Sequence, residues 1–399
     1  MTVEWNRETT DSYLLPACIF LSLFLALIGL IVQNLLMLFV FLISFALFYG
    51  SQIYLNRAGV NLTFKNVRNR EKFNKGDQGE WSFKFENKGV PILNGSLILR
   101  FDSVVLPMGV DFDEFPGGII EMKIPVSISK NETIEVKFPV EAQRRGLAKI
   151  ERLIVDIPNL FGSGGVYMQY KKPVKSEILV FPRSKPVDGF TSAHTKTQGT
   201  FTVHNSLFHD PFHPVGTRDY APGDSFANIN WKATARMQSL QTKVNSPATS
   251  RNWMITLNIS ADYSITSDLE DLIEKTAYIL EMAAKNDIPF GLAVNVRSLN
   301  RTPFYYLPIG EGKKQRQRAL EMLSVLSVDD VTFPFSLMYQ YLIMHHQVPP
   351  VLISIGKQDK ESEKLLSVMN QRDVSVFQLE NLNGQGVLQA WKQQFRKFA

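Results

Sequence analysis

"WMITLNIS" (253–260), "DLEDLIEKTAYILEMAAKN" (268–286) and "FGLAVNV" (290–296) follow one another along the chain. The first is an apolar run of strand length. The second places Leu269, Leu272, Ile273, Ala277, Leu280 and Ala284 at helical spacing, and the third is a strand again. Ser267 and Glu270 have the spacing of a capping box at the helix start. The alternation continues downstream. "KKQRQRALEMLSVL" (313–326) and "FSLMYQYLIMHH" (335–346) read as helices, "PPVLISIGK" (349–357) as a buried strand, "KESEKLLSVMNQ" (360–371) as a helix and "VSVFQLE" (374–380) as a last strand. Strands alternating with helices predict an α/β doubly wound, mostly parallel sheet, which binds ligands at the carboxyl ends of its strands. No phosphate-binding glycine loop accompanies it. "GEGKK" (310–314) has the wrong glycine spacing and no following Ser or Thr. Lys313, Lys314, Arg316 and Arg318 read as a solvated helix start rather than an RNA patch.

Upstream, from Val60 to about Pro182, the period changes to two. "EWSFKFEN" (80–87) puts Trp81, Phe83 and Phe85 on one face, and "GSLILRF", "IIEMKIPVSI", "TIEVKFPVEA" and "KIERLIVDI" read alike. Turn signals separate them at Asn87-Lys88-Gly89, Asn94-Gly95, Pro116-Gly117-Gly118 and Lys130-Asn131. This pattern predicts an antiparallel β-sandwich. Asp111, Asp113 and Glu114 form a small acidic patch in a loop, read as a solvated turn in preference to a calcium site.

Residues 12–56 contain no Asp, Glu, Lys or Arg. A single membrane span needs roughly 20 apolar residues, so the run accommodates two, near 13–32 and 35–55. Gln33-Asn34 supplies the turn between them. A cleaved signal peptide predicts a basic start and one short apolar core; here Glu4, Glu8 and Asp11 oppose Arg7 alone. Tyr13, Tyr49 and Tyr54 sit near the span ends, where aromatic rings anchor. Arg57, Lys65, Arg68, Arg70, Lys72 and Lys75 follow the second span with only Glu71 against them. Basic flanks stay in the cytoplasm, so the expectation is a two-pass cell-membrane protein with its soluble domains cytoplasmic. The basic stretch either lies on anionic headgroups or is a solvated strand edge. Gly29 has Leu25 and Gln33 four positions away, so no GxxxG-type motif supports packing on another membrane protein.

The totals restrict the remainder. A chain of 399 residues exceeds one ordinary core. A net charge of +5 is too small to argue for nucleic acid. Cys18 is the single cysteine, which excludes an intrachain disulfide or a cysteine-based metal site.

Between the sandwich and the α/β region lies "GTRDYAPGDSFANINWKATAR" (216–236). Pro222-Gly223 suits a tight turn, and Asp224 can cap a short helix bearing Phe226 and Ile229. Trp231 is expected to pack its ring and give its N–H to an acceptor. Arg218 and Arg236 can each fork onto a carboxylate, with Asp219 and Asp224 nearest. Two roles are open: a buried polar lock between domains, which is the favoured reading, or a docking surface. Four of the six histidines, His194, His204, His209 and His213, precede this stretch. Pro211 and Pro214 argue against a helix there, and no recognised ligand spacing is present, so a surface loop is expected.

The stretch resembles the hallmark of the bacterial domain-of-unknown-function fifty-eight family. The matching residues are Arg218-Asp219-Tyr220, Gly223-Asp224, Ile229-Asn230-Trp231-Lys232 and Ala235-Arg236. "AQRRGLAKIERLIVDIPNLFG" (142–162) is similar to the family's Arg-Arg-Gly strand and Asp-Pro-Phe-Gly turn, the turn blurred by Ile157 and by Asn159-Leu160. The resemblance implies a membrane hairpin, a sandwich and a von Willebrand factor A-like α/β domain, often encoded beside a MoxR-type AAA+ ATPase. It implies an adaptor or scaffold at the membrane in protein-complex maturation or envelope-related processes. In such a domain a divalent cation needs Asp-x-Ser-x-Ser after the first strand. This chain has Asn258, Ser260 and Asp262 there, and Ser354-Ile355-Gly356 where Thr-Asp-Gly is usual, so no tight metal binding and no cofactor are expected. The expected organisation is 1–57 N-terminus and hairpin, 58–185 sandwich, 186–250 connector with the signature, and 251–399 α/β domain. The rival reading is a hydrolase or metalloprotein near residues 209–224. No Ser-His-Asp elbow or cysteine nucleophile supports an enzyme.

Overall fold

The computed structural model describes residues 4–10, 14–159, 164–189, 209–222, 226–247, 252–261, 264–345, 347–372, 374–382 and 384–391, with backbone alone for 209–215, 227, 244–247 and 382. It comprises two compact units that divide after Arg183.

The first unit begins with strand β1 (Trp5–Thr10), followed by helices α1 (Leu14–Ile31) and α2 (Leu35–Arg57). Both helices are long and apolar enough to cross a membrane. The turn between them is where Gln33-Asn34 placed it. Gln33 takes φ 54°, and the Asn34 side chain caps α2 by accepting from Met37 N at 3.1 Å. The helices pack on one another. At Gly29 an added Cβ would lie 3.0 Å from Leu38 N of α2, so the glycine serves the close approach inside this hairpin.

The sandwich strands are β2 (Leu62–Phe64), β3 (Asn69–Asn74), β4 (Gln78–Asn87), β5 (Ile92–Asp102), β6 (Val105–Pro107), β7 (Phe112–Phe115), β8 (Ile119–Ile128), β9 (Glu132–Ala142), β10 (Gly146–Pro158), β11 (Gly165–Tyr170) and β12 (Ser176–Phe181). One sheet runs β1-β11-β10-β5-β8-β7, with β12 also on β10 and β3 on β12; the other runs β2-β4-β9-β6. All pairs are antiparallel except β3 with β12. Trp81, Phe83 and Phe85 are buried together against Phe101 and Phe138, as their alternation requires. Trp81 Nε1 donates to Ser176 Oγ at 2.8 Å, which satisfies the one polar atom of that ring. Residues 5–10, grouped from sequence with the hairpin, form an edge strand of the sandwich, paired from Trp5↔Tyr170 to Thr10↔Gly165. Asp113 and Glu114 lie in edge strand β7 rather than in a loop, exposed like Asp111. Leu160, Phe161 and Gly162 of the blurred turn lie outside the described residues.

The second unit holds β13 (Val187–Asp188), β14 (His209–Asp219), α3 (Trp231–Met237), β15 (Gln241–Pro247), β16 (Trp253–Leu257), the short β17 (Ser260–Ala261) and β18 (Ser264–Ile265), and α4 (Leu269–Lys285). It continues through β19 (Phe290–Arg297), β20 (Phe304–Gly310), α5 (Gly312–Ser324), α6 (Phe335–Met344), β21 (Val351–Ile355), α7 (Lys360–Gln371), β22 (Ser375–Leu382) and β23 (Gln385–Ala390). The sheet order is β13-β23-β22-β21-β16-β19-β20. Strands β22, β21, β16 and β19 are parallel, while β20 and β23 join antiparallel. All five residues of β16 and of β21 are buried, which requires cover on both faces. Helices α6 and α7 cover the face bearing Met254, Leu352 and Val376. Among the strands that went unread are β20, interrupted by Pro308, and β23, short and with Gly386 near its start. The capping box does not form. Helix α4 starts after Asp268, which makes no side-chain cap bond, and Ser267 Oγ donates to Asp268 Oδ1 instead, at 3.3 Å.

Candidate functional site

The signature is an excursion from a β-hairpin. Strands β14 and β15 pair antiparallel with Arg218↔Thr242 and Asp219↔Gln241 in register, and residues 220–240 leave and return above that last pair. Tyr220 N donates to Leu240 O at 2.8 Å and closes the neck. A single turn of 3-10 helix (Phe226–Asn228) leads to α3, whose N-cap is Asn230, with Oδ1 accepting from Ala233 N at 3.2 Å. Gln238 ends the helix in the left-handed conformation, φ 54°.

Gln241 organises the base. It is only 3% exposed. Its Nε2 donates to Asp219 Oδ1 at 2.5 Å and to Ser239 Oγ at 3.1 Å. Its backbone N donates to Thr234 Oγ1 at 3.0 Å, and its carbonyl accepts from Asn230 N at 2.7 Å. One buried amide therefore ties β14, α3 and the loop before β15 to a single point. Ile229 is buried beside it and bridges to Thr242. Sequence reasoning passed over Gln241, because a glutamine five residues beyond the hallmark carries no chemical signal of its own.

Most of the other described signature residues are exposed within this unit. Trp231 is 65% exposed, and Phe226, Met237 and Leu240 are exposed with it. Helix α3 has no buried residue. Tyr220 packs edge-tilted on Phe226, ring centres 5.9 Å apart. Lys232, Arg236 and Arg218 are exposed, and Arg218 Nη1 bonds the Asp219 carbonyl at 3.1 Å rather than a carboxylate. The excursion sits on its hairpin through Ile229 and Gln241 and turns its aromatic and cationic side chains to solvent, so the expected packing of the Trp231 ring does not occur. Gly223 and Asp224 lie outside the described residues. So do His194, His204 and the side chains of His209 and His213, whose backbone is strand β14 rather than a loop.

A second polar cluster crowns the mixed sheet where β16 and β21 end, beside a crevice of about 250 Å³ lined in part by Asn258, Ser260, Asp268, Lys357 and Asn381. Asn258, Ser260 and Asn295 of β19 hydrogen-bond together there. Behind them Tyr339 of α6 bonds Thr256 at 3.1 Å and Ser354 at 2.7 Å. Burial pushes the Tyr339 hydroxyl pKa upward and outweighs both bonds, which keeps it neutral. Asp262 lies outside the described residues.

Comparison with known proteins places this segment. The family described as "Protein of unknown function DUF58" matches residues 216–336. The uncharacterized protein YeaD of Bacillus subtilis (strain 168) is 31% identical over 115 residues, which cover 29% of this chain and 27% of that protein. Among solved structures, a non-cellulosomal cohesin from Archaeoglobus fulgidus is 16% identical, covering 34% of this chain and 98% of that one, with a TM-score of 0.20. The C-terminal domain of wzt is 9% identical over 29% of this chain and 65% of that one, also with a TM-score of 0.20. Likenesses at that score carry no weight for the fold. The match that bears on identity is the one that starts at Gly216, inside β14, and runs through the excursion into the α/β unit: residues 216–336 are similar to the DUF58 family, and the chain spans about a quarter of the length of the YeaD relative.

Proposed function

We propose that the chain is a membrane-anchored cytoplasmic adaptor that offers the signature excursion to a protein partner, a MoxR-type AAA+ ATPase by family resemblance. The observation that carries this reading is the exposure of Trp231 among Phe226, Met237 and Leu240 on a segment pinned from below by buried Gln241. Exposed apolar groups held on a rigid base are characteristic of interaction sites, and tryptophan is the residue most often found as an anchor. Arg218, Lys232 and Arg236 are exposed on the same segment, so the fitting partner surface is acidic with an apolar pocket.

The anchor follows from α1 and α2. At 1.5 Å per residue, the 18 residues of α1 reach about 27 Å, close to the thickness of a bilayer core. Strand β1 enters the hairpin and β2 leaves it, and both belong to one sandwich, so both ends lie on the same side of the bilayer. The basic run from Arg57 to Lys75 supports the cytoplasm as that side. With the edge strand β13 left aside, the other six strands of the second unit's sheet, β16 to β23 numbered in chain order, stand in the order 3-2-1-4-5-6, which supports the von Willebrand A-like reading of the α/β domain.

The test is affinity purification of the full-length protein from native membranes in mild detergent with ATP, beside Trp231→Ala. Co-elution of an AAA+ ATPase with the wild type and its loss in the variant supports the proposal. Equal recovery from both removes the signature as the docking site, and no ATPase in either removes the partner.

A further inference from the structure

The crest of the mixed sheet is the position at which a doubly wound domain ordinarily receives a ligand, between the two central strands from which the chain departs in opposite directions. In the domain type that the sequence resembles, that ligand is a divalent cation. The donor set here does not suit one. Asn258 Oδ1 already accepts three hydrogen bonds, from Ser260 N at 3.0 Å, Ser260 Oγ at 2.7 Å and Asn295 Nδ2 at 2.7 Å. Asn258 Nδ2 donates to Lys357 O at 2.5 Å. Asn295 Oδ1 accepts from Ile259 N at 2.7 Å, and its Nδ2 also reaches Ser260 Oγ at 3.2 Å. Asn258 is almost wholly buried and Asn295 completely so.

A hard cation needs charged oxygens, and two oxygens on one octahedral Mg²⁺ at about 2.1 Å stand roughly 3 Å apart with their lone pairs turned inward. Asn258 Oδ1 and Ser260 Oγ are 2.7 Å apart because a proton lies between them. No group of three or more His, Cys, Asp or Glu suited to a metal occurs among the described residues. The closure extends to β21. Asn258 N donates to Ile355 O at 2.8 Å, and Gly356, at φ 96°, leaves no room for a Cβ against the Asn258 carbonyl.

We infer that Asn295 takes the part of the cation: its amide protons bridge Asn258 and Ser260 and bind the ends of β16 and β19 together without metal. Neutral Asn258 stands where the first carboxylate of such a site would be, so the bonded trio Asn258, Ser260 and Asn295 carries no charge that a cation would have to neutralise. The crest is therefore held in one arrangement whatever the cation supply, and contacts made through it do not respond to chelators. This concerns the sheet alone, and its test needs no partner protein.

The experiment is thermal melting of the full-length protein in detergent with EDTA, Mg²⁺ or Mn²⁺, for wild type, Asn295→Asp and Ser260→Ala. The wild type should melt at one temperature in all three. Asn295→Asp sets a carboxylate oxygen against Asn258 Oδ1 and should melt lower than the wild type in EDTA. An increase for the wild type in Mg²⁺ or Mn²⁺ that Ser260→Ala abolishes overturns the inference, and so does an Asn295→Asp variant that melts like the wild type. If Asn295→Asp does not fold, Mn²⁺ titration of the wild type followed by electron paramagnetic resonance decides: absence of saturable binding upholds the inference, and binding lost in Ser260→Ala overturns it.

Discussion

Gln241 Nε2 and Asp219 Oδ1 meet at 2.5 Å across the last paired rung of β14 and β15, at the foot of the signature. The amide is buried while the rest of Asp219 is exposed, so the bond joins a fixed point to the start of the excursion. Gln241→Leu keeps the side-chain volume and removes the donors. We expect a loss of about 1–2 kcal/mol for one charge-assisted bond and its neighbour. Hydrogen exchange should quicken over 226–240 and stay unchanged in β16 and β19. Partner capture should fall even though Trp231 is intact.

Trp231→Ala separates the two roles open to the signature. A buried tryptophan would cost roughly 3–5 kcal/mol on truncation. At 65% exposure the expected change in stability is within about 0.5 kcal/mol. An interface anchor typically contributes about 2 kcal/mol or more to binding, roughly a 30-fold change in Kd. Chemical denaturation read beside a pull-down titration checks both numbers. A large loss of stability would restore the internal lock.

What the sequence disclosed tracks how local each feature is. The hairpin was legible because 45 uncharged positions and one Gln-Asn pair are a purely local signal. The aromatic face of β4 and the helix from Leu269 were legible for the same reason, each repeating a period within itself. The pairing of β1 with β11 was hidden, since its partner lies about 160 residues away and "WNRETT" carries little hydrophobic alternation. Exposure of Trp231 was hidden too, because composition argues for burial and only the position of α3 outside the hairpin decides otherwise. Asn295 reads as one polar interruption in an apolar strand until Asn258 and Ser260 are brought to it.

Gly29 and Arg7 hold the hairpin at opposite ends. Gly29→Leu would drive a side chain into the backbone of Leu38 and part α1 from α2 near their turn. Arg7 donates to the carbonyl of Leu55 in the last turn of α2, where a cation satisfies orphan acceptors and complements the helix dipole. Burial depresses its pKa, so the site lies in a desolvated corner of the sandwich. Arg7→Met should keep the packing and lose the cap, at about 1–2 kcal/mol. Melting in detergent should fall for both variants. Limited proteolysis should open the region 7–14 in Arg7→Met alone.

Lys185, Asp271 and Lys275 form the last testable unit, a staple fixing the strand β13 region to α4. Lys275 is fully buried, its ammonium 2.6 Å from Asp271 Oδ2 and also bonded to Asn381. Lys185 pairs with the other Asp271 oxygen, and Ser184 Oγ donates to Glu281 at 2.5 Å. Burial opposes ionisation of Asp271, but the bonds from Lys185 and Lys275 outweigh it and hold its pKa below the ordinary carboxylate value. The hydrogen bond and charge of Asp271 hold Lys185 above the ordinary lysine value. A depressed carboxylate contributes stability above its unfolded pKa, about 4, and loses it as pH falls through the lower folded value. A raised lysine contributes below its unfolded pKa, about 10.4, and loses it as pH rises through the higher folded value. The staple is therefore complete between about pH 5 and pH 9. Asp271→Asn leaves the buried Lys275 charge with amide acceptors and no counter-charge and should cost about 3 kcal/mol there. Lys275→Met, which removes that charge, should cost less. Tm measured against pH should show the gap between wild type and Asp271→Asn widest near neutrality and narrowing as pH falls from about 4 through the lower folded value, where the wild-type carboxylate becomes protonated as well. A gap that stays constant to pH 2 would show that packing of the Lys275 stem on Gly386, where an added Cβ would lie 3.0 Å from Lys275 Cδ, and not the ion pair, holds the staple.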